Sequence, residues 1–86
     1  MITLSELIAR TKLQMQAITG MAPETVSRLD RADDGWNVGI DMVEHQAVPR
    51  TYDLLASFDV VLDNTGEIRC WHRTGRFIRN QQHGES

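Results

Sequence analysis

The 86-residue chain is 41% hydrophobic and 24% charged, with a formal charge of −3. This composition excludes a disordered chain, and no apolar run reaches the ~18 residues that a membrane span needs. A chain this short buries only about 60% of the surface it exposes when unfolded, which leaves room for one core and little for a deep catalytic cleft.

Met1-Ile2-Thr3-Leu4 has no basic stretch followed by an apolar one, so no secretory signal is expected. Thr3-Leu4-Ser5-Glu6 matches a capping box, in which Thr3 caps a helix and Glu6 reaches back to it. Leu4, Leu7, Ile8, Met15 and Ile18 follow at helical spacing, with Thr11 and Ala17 beside the stripe. Gly20 suits the left-handed conformation that ends a helix, and Pro23 blocks any continuation. One helix from Leu4 to Thr19 is expected.

Thr25 to Ala32 is a weaker strand, because Val26 and Leu29 break strict alternation; a bulge restores the phase. Asp33-Asp34-Gly35 signals a hairpin turn. From Trp36 to Met42, and again from Leu54 to Leu62, the even positions are apolar, as in half-buried strands with the even face inward. His45 to Asp53, marked by Pro49, connects the two. Asp63-Asn64-Thr65-Gly66 is a tight turn with Gly66 suited to positive φ. A fourth strand begins at Glu67, with Ile68 and Cys70 assigned to the core face. Gly75 marks a bulge, after which Phe77 returns to the core.

Short turns make consecutive strands antiparallel. The expected fold is therefore α+β, with one N-terminal helix packed on one face of a four-stranded antiparallel β-meander (α-β-β-β-β). Residues 1–80 form the domain and 81–86 a flexible tail. One helix covers one face of such a sheet. The odd-numbered face, with Asn37, Gly39, Asp41, Ser57, Asp59, Val61, Arg69, Trp71 and Arg73, is expected to stay open.

Few patterns carry chemistry. Cys70 and His72 are metal-ligand types two residues apart, but a zinc site needs three or four ligands, and His45 and His83 lie at no diagnostic spacing. A core-facing Cys70 is expected to be inert. Asp63 to Glu67 lacks the twelve-residue ligand series of a calcium loop. No phosphate loop, carboxylate pair or nucleophile elbow is present, so no cofactor, metal or catalytic residue is expected. The lone Cys70 fits a reducing cytoplasm.

Charge is uneven. Residues 1–66 hold five basic and ten acidic side chains, whereas 67–86 hold four arginines against Glu67 and Glu85. Arg69, Trp71, Arg73, Arg76, Phe77 and Arg79 form a basic-aromatic stretch of the residue types enriched in binding hot spots, and they are the candidate partner-binding residues. The competing reading is an edge strand kept charged against aggregation. Overall acidity argues against nucleic acid as the partner. An exposed edge strand allows a weak homodimer.

An ordered set of landmarks resembles the gas vesicle protein O family. It comprises Ile18-Thr19-Gly20 with Pro23-Glu24, Gly35-Trp36, Val43-Glu44, Val48-Pro49, the run Asp53 to Val60, Leu62-Asp63, Gly66-Glu67 and Trp71 to Arg79. The resemblance covers about residues 5 to 80. It implies an accessory, non-enzymatic role in building gas vesicles, in the cytoplasm and in association with the vesicle, through binding other gas vesicle proteins, accessory and shell. Arg73, Arg76, Phe77 and Arg79 match the family's basic C-terminal stretch, and Trp71 stands where an aromatic is expected. Asn37, Gly39, His45-Gln46 and Cys70 depart from the pattern. The helix, the strands and the Asp63 to Glu67 turn also resemble the PepSY-type module, which implies a domain that binds and inhibits a peptidase or other enzyme.

Overall fold

The computed structural model describes residues 2–82. Helix α1 (Leu4–Thr19) is followed by strands β1 (Ala22–Ala32), β2 (Gly35–His45), β3 (Leu54–Asp63) and β4 (Ile68–Ile78); a 3-10 turn (Arg50–Tyr52) lies between β2 and β3, and a helical turn α2 (Arg79–Gln82) follows β4. The strands form one antiparallel sheet in the order β1-β2-β3-β4. This is the α-β-β-β-β architecture expected from the hydrophobic periodicities. Residues 81 and 82 of the expected tail fall in α2, and 83–86 lie outside the described residues.

The helix begins where its cap dictates. Thr3 N donates to Glu6 Oε1 at 3.0 Å and Glu6 N to Thr3 Oγ1 at 3.1 Å, so two otherwise unpaired donors are satisfied. These bonds to Thr3 hold the Glu6 carboxyl below its ordinary pKa. The helix ends at Gly20 with φ 76°, whose N–H donates to Gln16 O at 2.8 Å. Leu7, Thr11 and Met15 form the stripe buried on the sheet, and Thr11 satisfies its hydroxyl on Leu7 O at 2.8 Å. Leu4 and Ile18, expected inside, are about half exposed because they sit at the helix ends.

Under the helix lie Val38, Ile40, Met42, Ala56, Phe58, Val60 and Leu62, the even positions of β2 and β3. Two irregularities in β1, at Glu24 and Ser27, bring Pro23, Val26 and Leu29 onto that same face opposite Met42, Ile40 and Val38. The helix is also fastened to the β3–β4 turn. Gln14 donates to Gly66 O at 2.7 Å and accepts from Ile68 N at 3.0 Å, and Arg10 donates to Thr65 O at 2.9 Å. Gly66 has φ 90°. Asp63 Oδ1 accepts from the Thr65 hydroxyl and from the Thr65 and Glu67 N–H groups, led by the hydroxyl, which holds its carboxyl below the ordinary range.

The face away from α1, here the outer face, is not open along its whole length as expected. Val43 and Leu55 pair on it and are buried, at the end where Asp53 is also buried. The 3-10 turn and α2 meet there. No helix of the described residues is long and apolar enough to cross a membrane.

Candidate docking surface

The register of β4 decides where the candidate side chains go. Leu62 pairs with Ile68, but Val61 pairs with Cys70, so Arg69 is an extra residue in a bulge. That bulge was not expected, and it flips the residues from Cys70 to Arg73. Cys70 joins Val61 on the outer face and is exposed, which overturns its assignment to the core and the inertness argued from burial. Trp71 and Arg73 pair with Val60 and Phe58 and so lie on the helix side, not on the open face where parity put them. A second bulge at Thr74-Gly75, the one Gly75 signalled, restores the phase. Arg76 then pairs with Ala56 on the helix side, and Phe77 pairs with Leu55 on the outer face rather than returning to the main core.

Beyond Ile68, which Gln14 of α1 still reaches, residues 69–74 of β4 are exposed, and the resulting rim has a definite construction. Trp71 stands edge-on to Phe58, with centroids 5.8 Å apart and planes at 66°, and stays 41% exposed. The Arg73 guanidinium lies 5.7 Å from the Phe58 ring centre. Glu44, the extra residue of a bulge in β2, takes Arg76 in a two-point pair at 3.0 and 2.7 Å and Arg73 at 3.3 Å. Two cations thus share one carboxylate, and the rim keeps a positive excess. Arg69 stands apart, near enough to Asp63 to help keep that carboxyl ionised.

Arg79 has a different task. Its guanidinium binds Glu24 on β1 through two nitrogens and Asp53 at 2.9 Å, and its Nε donates to Arg50 O at 3.2 Å. It reaches from the end of β4 across the sheet to the opposite edge strand. Asp53 is 2% exposed and also accepts from Ala47 N at 2.8 Å. The bond from Arg79 holds Glu24 below its ordinary pKa; for Asp53 the Ala47 N–H contributes most, then Arg79. Arg79 itself is raised by the same two partners, Glu24 first. Among the sequence candidates it is the one engaged inside the fold.

A pH dependence follows. Both carboxyls are depressed in the folded state, so their contribution is complete above the ordinary values of 4.5 and 3.8 and is lost as pH falls below them. Arg79→Met is expected to melt well below the wild type at pH 7. The gap should shrink as pH falls below 3.8 and through the depressed carboxyl values of the wild type, because protonation there removes the ion pairs that the variant already lacks. Thermal melts across that range check this; a gap constant with pH would mean that Arg79 acts only by packing.

The outer face carries a polar network. Arg28 bonds Asp59 at 3.1 Å and Asp30 at 3.0 Å, His72 Nε2 lies 3.9 Å from Asp59, and Ser57 Oγ donates to the buried Asp41 at 2.8 Å. Among the described residues no three His, Cys, Asp or Glu side chains converge as metal ligands. A concavity of about 370 Å³ beside Gln46, Ala47, Val48, Arg50 and Asp53 contains one buried carboxylate, already engaged by Arg79. Sequence reading missed Glu44 and Glu24 as the partners that orient the basic strand. Neither is near it in sequence, and only the register brings them together.

A family model described as "Gas vesicle synthesis protein GvpO" matches residues 1–83. The chain is 40% identical over 68 residues to gas vesicle protein O of a Streptomyces species, covering 79% of this chain and 53% of that protein. It is 28% identical over 83 residues to gas vesicle protein O1 of Halobacterium salinarum, covering 96% of this chain and 70% of that protein. It is 30% identical over 63 residues to gas vesicle protein O of Haloferax mediterranei, covering 72% of this chain and 45% of that protein. The chain therefore spans about half the length of two of these relatives. No solved structure matches it.

Proposed function

Because this chain belongs to the gas vesicle synthesis protein GvpO family, we propose that it serves vesicle formation as a non-enzymatic assembly factor that docks on other gas vesicle proteins through the rim of β4. The family membership supports the vesicle role and favours it over the PepSY-type reading. The docking reading rests on one observation: a 41% exposed Trp71 beside Arg73 and Arg76 on the helix side of β4, with Arg69 exposed in the bulge before it. Trp and Arg dominate binding hot spots because they combine large apolar area with directed polar contacts. The partners are accessory or shell proteins in the cytoplasm, with the chain associated with the growing vesicle. Phe77 and Arg79 support the surface from behind, Phe77 beside Leu55 and Arg79 through its tie to Glu24.

The test replaces the chain with Arg69→Glu/Trp71→Ala in cells that build vesicles. Both side chains are exposed, so the melting temperature should move little. Losing a Trp hot spot costs about 2 kcal/mol or more, roughly a thirty-fold weaker complex, and vesicle yield should drop accordingly. Normal vesicles from a folded double variant would refute the surface assignment.

A further inference from the structure

We propose that the outer edge of β4 accepts an extended acidic segment of a partner protein as a fifth strand of the sheet. This deepens the docking reading above and rests on it. The backbone phase of β4 is fixed at both ends. Ile68 N donates to the Gln14 side chain, so it points away from β3, whereas Arg79 N donates to Asp53 O on the β3 side. Residues in an antiparallel ladder alternate between inward and outward backbone groups. Carrying that alternation through the two bulges leaves Trp71, Arg73, Arg76 and Ile78 with outward N–H and C=O groups. Three of these four are the rim residues, whose side chains all lie on the helix side. A strand added here gains main-chain bonds and cross-strand contacts from the same three residues.

Charge selects the occupant. Strand β4 holds Arg69, Arg73 and Arg76 and no acidic residue. A second copy pairing β4 to β4 sets arginine against arginine, which is unfavourable. An acidic segment supplies the carboxylates that Glu44 alone does not, and an apolar residue between them covers Trp71. A strand charged only to repel neighbours has no use for a half-exposed Trp at its centre, since that invites the association the charges oppose. Nor do its arginines need orienting, yet Arg73 lies over Phe58 and both Arg73 and Arg76 are held by Glu44. The bulges confine regular pairing to two short stretches, which suits a reversible assembly contact.

The probe is a capped octapeptide of alternating Glu and Val, with a Lys and Val octapeptide as control. At millimolar Glu-Val peptide, hydrogen exchange of the Trp71, Arg73, Arg76 and Ile78 amides in the folded chain should slow several-fold, and the Lys-Val peptide should leave them unchanged. No slowing, equal slowing by both peptides, or tighter binding of a single-stranded oligonucleotide overturns the proposal. In vesicle-building cells, Arg76→Ala removes the side chain, whereas Arg76→Pro also removes the outward N–H. Vesicle yield should fall further for the proline variant, with both variants folded by circular dichroism. Equal yields reject strand addition and leave the docking role to be judged by the Arg69/Trp71 double variant.

Discussion

Phe58→Ala is expected to destabilise the protein by about 3–5 kcal/mol, because a buried aromatic is lost and a cavity remains. Phe58 is 2% exposed and lies in the cluster formed by α1, β2 and β3. A domain of this size has only about 5–15 kcal/mol of total stability. At about 4–8 °C per kcal/mol for a small domain, the melting temperature falls by about 12 °C or more. The consequences extend beyond the core, because Trp71 packs edge-on to this ring and Arg73 lies over it. The milder Phe58→Leu should keep the fold yet release Trp71 from its position. Its signature is a Trp71 fluorescence change with little loss of stability, measured in a Trp36→Phe background. A melting temperature within two degrees of wild type for Phe58→Ala would show that the even-face core is wrongly assigned.

Phe58 also shows what the sequence makes legible and what it does not. The even-position alternation from Trp36 to Met42 and from Leu54 to Leu62 placed seven core residues correctly, because a strand covered on one face must alternate. Gly20 and the Thr3–Glu6 box set the helix ends through purely local bonds. The strand β4 defeated the same logic. Its residues sit at an edge, where both kinds of side chain tolerate water, so no hydrophobic pattern records the Arg69 bulge. One extra residue was enough to move Cys70 out of the core and to carry Trp71 and Arg73 to the opposite face. The composition of the candidate surface was therefore readable, and its geometry was not. The Arg79 tie to Glu24 and Asp53 was equally hidden, since its members lie 55 and 26 residues away from Arg79.

Gly35 ends a turn that the sequence signals, but its glycine is required for a reason the turn does not show. Asp33-Asp34-Gly35 signals a hairpin turn, and the turn joins β1 to β2, but positive φ occurs among the described glycines only at Gly20 and Gly66. Gly35 is instead the first residue of β2, paired with both Ala32 and Asp63. A Cβ there would lie 1.8 Å from Leu62 O, 2.8 Å from Leu62 C and 2.9 Å from Asp63 Cα. All three are backbone atoms, so no rotamer change relieves the clash, and β2 must part from β3 at the rim of the core. Gly35→Ala is therefore expected to cost about 3 kcal/mol, the upper part of the overpacking range. Gly39→Ala meets mainly the Ser27 and Arg28 side chains at 3.0 and 3.3 Å and should cost less. Gly75→Ala has nothing within 4 Å and ordinary φ, so it should be neutral or slightly stabilising through the unfolded chain. Urea midpoints for the three variants should fall in that order, with Gly35→Ala lowest. If Gly35→Ala unfolds at the wild-type midpoint, the close approach of β2 and β3 at this pair is not real, and the register on which the β4 rim depends must be redrawn.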